Sequence, residues 1–333
     1  MSGAREVPGA AVHVGAEVPA QAPRVSVIVT AYKVAPFIRE TLDSVFAQTL
    51  REFETIVVND GTPDAEELER ELEPYLARVV YVVQENRGAG GARNTGLRLA
   101  RAPLVAFLDG DDLWEPTYLE EQLTEIEARG LDLSYTDALL FGDSAHAGKT
   151  YMETAPSTGE VSFLSLVRAD CNVITSGVVA RRAAVLQAGL FDETLRNAQD
   201  FELWARLAHR GARLGYRRRV LVRYRVREGS LSGDAENRLA RELKVLRFIA
   251  DSYPLTADER AEVGRMLARQ SAAIDLERGR SLVAEGKFKE ARAAIASARG
   301  VLGGWKLTAA LLMLKVAPRL FARLAGGRLR TKP

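Results

Sequence analysis

From Arg24 onward, short β-branched runs alternate with segments whose apolar residues recur every three or four positions. Val25 to Val29 reads as a strand. Pro36 then opens a segment with Phe37, Ile38, Leu42, Val45 and Phe46 on one helical face. Phe53 to Val58 is a second strand, stopped by Asn59-Asp60-Gly61, and Glu66 to Ala77 an acidic helix turning Leu68, Leu72, Tyr75 and Leu76 inward. Val79 to Val83, a glycine-rich segment over 88–96 that leads a helix to Ala100, and Leu104 to Leu108 complete a βαβαβαβ order. That order predicts an α/β fold, a mostly parallel Rossmann-like sheet flanked by helices. Such sheets bind ligands at the C-terminal ends of their strands. Thr30-Ala31-Tyr32, Asn59-Asp60-Gly61 and Asp109-Gly110-Asp111 all fall at such ends.

The pattern changes after residue 130. Leu131 to Tyr135 and Val173 to Val179 read as strands, separated by a polar stretch over 142–159 expected to be a mobile loop. Arg181 to Ala188 and Asp200 to His209 read as helices, and 213–216 and 220–226 as strand-like. Beyond Asn237 the chain is helical by pattern, with a hairpin over Leu276 to Ala298 turning at Gly286. The expected organisation is a disordered leader over 1–23, an α/β domain over 24–236, and a helical extension over 237–333. The leader is rich in Ala, Pro, Gly and Val without a basic start and apolar core, so a signal peptide is not expected there.

Apolar content of 47% and charged content of 27% describe an ordinary globular chain. Its net charge of +2 hides an asymmetry. From Ala291 on there is no Asp or Glu, while nine Lys and Arg residues run from Arg292 to Lys332, so the rest is net acidic. That split argues against a nucleic-acid-binding surface and for a basic tail with its own anionic partner. Cys171 is the single cysteine, which excludes an intrachain disulfide and suits a reducing, cytoplasmic compartment. No apolar run reaches the ~18 residues that span a bilayer.

The candidate chemistry centres on Phe107-Leu108-Asp109-Gly110-Asp111-Asp112, an apolar strand ending in three carboxylates. On an extended segment Asp109 and Asp111 would project to the same side. Close carboxylates repel unless a cation sits between them. A hard divalent ion on substrate phosphates, Mg²⁺ or Mn²⁺, suits that role, and a solvated acidic loop is the alternative. Arg87-Gly88-Ala89-Gly90-Gly91-Ala92-Arg93-Asn94 lacks both the Lys-Ser/Thr ending of a Walker loop and a GxGxxG spacing.

Taken in order, five segments resemble the inverting family 2 glycosyltransferases of GT-A fold, which use nucleotide-sugar donors. They are Val25 to Tyr32, Ile56 to Gly61, Asn86 to Asn94, Phe107 to Asp112, and Gln199-Asp200-Phe201-Glu202-Leu203-Trp204-Ala205-Arg206. The resemblance covers residues 25–232. It implies that Thr30, Tyr32 and Asp60 meet the nucleoside, with Tyr32 stacking on the base and Asp60 accepting from a uracil N–H or a ribose hydroxyl. Arg93 would brace the acidic motif, Asp109 face the ribose and metal, and Asp111 ligate Mn²⁺ or Mg²⁺ bridging the diphosphate. Asp200 would be the general base that takes the acceptor hydroxyl's proton, with helix N-capping as its alternative role. Two departures stand out: Gln199 where Glu is common, and Arg227 where many relatives carry His. Arg227 cannot ligate a metal but can pair with a diphosphate. The processive Gln-x-x-Arg-Trp motif is absent, which favours one sugar per encounter.

Trp305, Leu307, Leu311, Leu312 and Leu314 precede Pro318, and Leu320, Phe321 and Leu324 alternate with Arg319 and Arg323. Residues 305–332 therefore read either as amphipathic helices lying on an anionic membrane or as helices packed on the domain. The expected function is metal-dependent inverting transfer of a sugar, from UDP by preference, to a hydroxyl of a saccharide or lipid-linked saccharide in surface polysaccharide or glycolipid assembly. The expected location is the cytoplasm or the cytoplasmic membrane face. Competing readings are transfer to a polyprenyl phosphate and a noncatalytic nucleotide-sugar-binding scaffold.

Overall fold

The structure, a computed structural model, describes residues 7–143, 146–195, 198–227 and 235–329. It divides into two units, Met1–Glu228 and Gly229–Pro333.

In the first unit the strands are β1 (Ala10–Val14), β2 (Val25–Ala31), β3 (Phe53–Asn59), β4 (Val79–Gln84), β5 (Leu104–Asp109), β6 (Leu113–Trp114), β7 (Leu133–Gly142), β8 (Val178–Arg181) and β9 (Leu214–Val226). They form one sheet in the order β1-β4-β3-β2-β5-β8-β7-β9-β6. The centre, β4-β3-β2-β5, is parallel, as the alternating pattern predicts. Beyond β5 the sheet becomes mixed: β8 runs antiparallel to both β5 and β7, and β9 parallel to β7. β9 joins the two strand-like stretches expected over 213–226, with the irregularity falling opposite Thr136 to Ala138 of β7.

Helices α1 (Ile38–Phe46), α2 (Ala65–Leu72), α3 (Gly88–Leu99), α4 (Tyr118–Arg129), α5 (Tyr151–Thr154), α6 (Phe163–Val167), α7 (Arg182–Ala188) and α8 (Gln199–His209) fill the connections. Two apolar layers result. One gathers Val27, Val29, Ile38, Leu42 and Leu108, the other Ile28, Phe107, Leu97 and Trp204, so the alternate residues of β2 and β5 face opposite cores. The acidic helix is shorter than the sequence suggests, because Pro74 leads a tight 3₁₀ stretch over Glu73–Arg78.

Three expectations need correction. The leader over 1–23 is not disordered throughout: β1 pairs antiparallel with β4 and Val7 is buried, because the open edge of β4 offers a ladder that a short extended segment can take. Residues 1–6 lie outside the described residues. The stretch over 142–159 contains α5, whose Thr150–Glu153 capping box satisfies its first turn; residues 144–145 lie outside the described residues. The strand expected over 173–179 begins only at Val178, because Thr175–Gly177 is a 3₁₀ turn.

The second unit contains α9 (Ala235–Ser252), α10 (Ala257–Ala284), α11 (Phe288–Leu302), α12 (Trp305–Val316) and α13 (Pro318–Leu329). The expected hairpin is α10–α11, reversing at Gly286 with φ +76°. Val283, Ala291, Ile295 and Leu314 form its core. No helix among the described residues is long and apolar enough to cross a membrane. Residues 330–332 of the expected tail lie outside the described residues.

Candidate active site

The parallel register sets Thr30 beside Asp109 and Ala31 beside Asn59, which brings the three polar strand ends to one edge of the sheet. Thr30 Oγ1 donates to Asp109 Oδ1 at 3.0 Å, and Arg93 Nη2 lies 2.6 Å from the same oxygen. Arg93 reaches it from α3, which lies tight on the sheet: a Cβ on Gly96 would meet Ile28 Cγ2 at 2.4 Å. The Arg93 side chain is buried, and its Nε has no hydrogen-bond partner. Burial opposes its charge, but Asp109 and then Asp200 more than offset this, holding its pKa above the ordinary value. One guanidinium thus lies in the field of both carboxylates.

Asp111 is not on a strand. β5 ends at Asp109, and the Asp112 N–H donates to the Asp109 carbonyl at 3.0 Å, closing a turn. The turn needs glycine, since a Cβ on Gly110 would meet the Thr30 carbonyl oxygen at 2.7 Å. The expected extended alternation therefore does not bring Asp109 and Asp111 together; the turn does. Asp111 Oδ2 lies 2.6 Å from Arg227 Nη2. Burial, then Asp109, pushes its carboxyl above the ordinary range, and Arg227 and Arg225 pull it back only in part. Arg227 Nε is likewise buried without a partner.

Asp112 is buried and structural. It accepts from Ser176 Oγ at 2.5 Å and from the Arg225 N–H at 2.8 Å. Burial, Asp111 and Asp109 raise its carboxyl well above the ordinary range. Arg225 further ties β9 to the turn, donating from Nε to the Asp111 carbonyl at 2.8 Å, with its guanidinium 4.5 Å from the Phe37 ring centre. Trp114 stacks on Tyr118 and donates to the Ser176 carbonyl, in keeping with a structural role.

Asp200 lies in the first turn of α8 but does not cap it; that position belongs to Ala198, in the left-handed region at φ +63°. Its Oδ2 accepts from Thr175 Oγ1 at 2.9 Å and its Oδ1 from the Phe201 N–H at 2.8 Å. The approach to α8 is clamped onto α3: Glu193 accepts from Arg87 at 2.7 Å and from Asn94 at 2.9 Å, and a Cβ on Gly90 would strike Gln199.

Tyr32 is 42% exposed at the end of β2, so it does not close the core, and Lys33 Nζ sits 5.4 Å from its ring centre. Lys33 itself has φ +55° and donates its N–H to Thr62 Oγ1. Asp60 is buried and accepts from Gln84 Nε2 at 2.7 Å and the Arg87 N–H at 2.9 Å. Burial raises its carboxyl, and these bonds offset that only in part.

Comparison with known proteins matches part of the sequence to a family model. Residues 26–160 match the profile described as Glycosyl transferase family 2. They are a family 2 glycosyltransferase domain. Over 112 residues the chain is 42% identical to "Uncharacterized glycosyltransferase EpsJ" of Bacillus subtilis (strain 168), a match spanning 33% of each chain. It is 27% identical over 227 residues to the Escherichia coli "UDP-Glc:alpha-D-GlcNAc-diphosphoundecaprenol beta-1,3-glucosyltransferase WfaP", covering 68% of this chain and 86% of that one. Its fold is that of the mannosyltransferase PcManGT from Pyrobaculum calidifontis, solved with GDP-Man and Mn²⁺, with a TM-score of 0.60 at 19% identity over 96% of this chain and 90% of that one. The GT-A fold follows for the chain, and the transferase class for residues 26–160.

In this family 2 domain the donor set for a metal is small. Among the described residues no three His, Cys, Asp or Glu side chains are grouped to hold an ion. Asp111, with Asp109 beside it, suits an ion that takes one or two carboxylates and completes its shell with substrate phosphates. Sequence reasoning missed Thr175, Ser176 and Arg225. Nothing in their spacing marks them: each lies at least 60 residues from the acidic turn and reaches the site only through strand pairing or the turn before β8.

Proposed function

We propose that the protein is a metal-dependent inverting glycosyltransferase that moves a sugar from a nucleotide-diphosphate donor, UDP by preference, to a hydroxyl of a saccharide or lipid-linked saccharide in surface polysaccharide or glycolipid assembly. The observation that carries this is the pairing of Arg93 with Asp109 and of Arg227 with Asp111, each arginine keeping a buried Nε–H without an acceptor. A buried orphan donor is costly, and a diphosphate supplies the oxygens that satisfy it.

Tyr32 offers its exposed ring to the base, and Asp60 its remaining lone pairs to the nucleoside, with Thr30 steadying Asp109. Asp111 and Asp109 would hold Mn²⁺ or Mg²⁺; when bound, such an ion neutralises charge on the departing diphosphate. Arg227 turns from Asp111 to the diphosphate oxygens. Asp200, fixed by Thr175 and the Phe201 N–H, takes the acceptor hydroxyl's proton as that oxygen attacks the anomeric carbon on the face opposite the leaving group. The relative named for a diphosphoundecaprenol substrate supports a lipid-linked acceptor.

A membrane contact through residues 305–332 completes the reading. Trp305, Leu312 and Val316 lie on one stripe of α12 and are exposed, while Leu307, Leu311 and Leu314 on the opposite face pack inward. Such an outward apolar stripe flanked by Lys306 and Lys315 suits the interface of an anionic bilayer and supports a peripheral location on the cytoplasmic face.

The test is thermal stabilisation by a panel of nucleoside diphosphates with and without Mn²⁺. The expected result is a metal-dependent shift with one nucleotide, lost in Asp111→Asn. No shift with any nucleotide would overturn the sugar-donor site.

A further inference from the structure

The C-terminal unit holds a cavity lined by none of the residues proposed for sugar transfer. Its volume is about 620 Å³, within the roughly 300–1,000 Å³ typical of small-molecule sites. Leu276 of α10, Ile295 of α11, Leu307 and Met313 of α12, and Phe321 of α13 form its walls. The cavity exists because the chain breaks twice. Gly303 and Gly304, both at positive φ, end α11, and Pro318 ends α12, so α12 and α13 fold back over the α10–α11 hairpin. Ala310, at the middle of α12, leaves the space between them open.

Two charged side chains share the lining, Arg280 and Lys306, and both are exposed to solvent. Arg280 is paired with Glu277 on its own helix, so Lys306 is the cation without an acid beside it in sequence or on its helix. Residues 291–333 contain no Asp or Glu, so α12 and α13 bring only positive charge to this region. The site therefore combines apolar walls, which favour hydrocarbon over water, with a cationic opening that matches a phosphate. A neutral apolar ligand would leave Lys306 unused, and a free phosphate would leave the walls unused.

We propose that this cavity takes one hydrocarbon chain of a phosphate-bearing membrane lipid, with Lys306 and Arg280 against the phosphate. The proposal rests on the membrane contact assigned to α12, and adds that α12 admits a lipid chain on its inner face as well as meeting the bilayer with its outer one.

The experiment uses the full chain and two probes. The first is dodecyl phosphate below its micelle concentration, measured by calorimetry beside inorganic phosphate. The second is sedimentation with phosphatidylglycerol–phosphatidylcholine vesicles against pure phosphatidylcholine. Saturable binding of dodecyl phosphate is expected, with none of inorganic phosphate at the same concentration. Ala310→Phe, which fills the cavity, and Lys306→Glu should each weaken it by about tenfold or more. Met313→Trp serves as a second filling variant, and thermal melting shows which variants remain folded.

Binding no stronger than that of inorganic phosphate, or unchanged by both filling variants, would overturn the cavity assignment. If vesicles still bind in that case, the surface contact of α12 stands alone. Dodecyl phosphate bound without any vesicle association would remove the membrane contact, and with it a membrane lipid as occupant. A concentration-dependent dimer abolished by Ala310→Phe would overturn the proposal in favour of a second copy of the chain. The nucleotide-induced thermal shift is read on the same samples and reports the sugar-donor site independently.

Discussion

Arg93 Nη2 sits 2.6 Å from Asp109 Oδ1, and the same buried guanidinium lies in the field of Asp200. One side chain from α3 therefore pairs with the carboxylate at the end of β5 and feels the charge of the carboxylate at the start of α8. Since Asp200 is also held by Thr175, its position depends on two elements that meet only in the folded chain.

Removing that guanidinium should weaken both fold and site. Arg93→Met is expected to cost about 2 kcal/mol of stability, less than the roughly 3–5 of a fully buried pair because the Asp109 side chain is one-third open to water. Urea titration reads this loss. Affinity for a nucleoside diphosphate should fall in the same variant; unchanged affinity would detach Arg93 from ligand binding.

Arg227→Met should separate metal from nucleotide. The guanidinium occupies Asp111 Oδ2, so its loss frees that oxygen and should tighten binding of Mn²⁺ alone, read as the loss of free-ion signal in electron paramagnetic resonance. Binding of the nucleoside diphosphate should weaken at the same time, because the proposed diphosphate partner has gone. Two changes in the same direction would refute the handover of Arg227 from Asp111 to phosphate.

Asp200→Asn keeps the shape of the side chain and removes the proposed base. Turnover should fall about 10²–10⁴-fold while the nucleotide-induced thermal shift persists. Thr175→Val, which removes the hydrogen bond to Oδ2, should cost about ten- to a hundredfold through misplacement of the carboxylate. Its loss should appear in kcat, and the pH–rate profile should change shape with it.

Asp60 links stability to pH. Burial raises its carboxyl above the ordinary 3.8, so the contribution to folding is fully present below that value and is lost as pH rises through the folded-state pKa. Asp60→Asn keeps an oxygen for Gln84 and the Arg87 N–H without the buried charge. It should therefore be as stable as the wild type or more so at pH 7, with the advantage disappearing near pH 3.5, about the ordinary carboxylate range. Denaturant midpoints at the two pH values measure this. If Asp60 meets the nucleoside, nucleotide affinity should fall in the same variant.

The central sheet was legible because strand and helix periods are local. Val25 to Val29, Phe53 to Val58 and Leu104 to Leu108 are β-branched or apolar runs bounded by turn residues, and each is a buried strand. Their alternation with helices leaves few topologies, so the sequence alone predicts Thr30, Asp60 and Asp109 at one edge. β1 was not legible, because a five-residue edge strand has too little pattern of its own and forms only where β4 leaves an open ladder.

The sequence by itself singled out Asp109, Asp111 and Asp200 as the candidate carboxylates, since they stand in motifs whose order is specific. Tertiary structure alone decided what surrounds them. Arg93 lies 16 residues from Asp109 along the chain, Ser176 64 from Asp112, and Arg225 113 from Asp112, yet each is in hydrogen-bond contact. Partners at such separations follow from strand order and register, which depend on burying both faces of the sheet at once. That is a property of the whole chain, and no local period carries it.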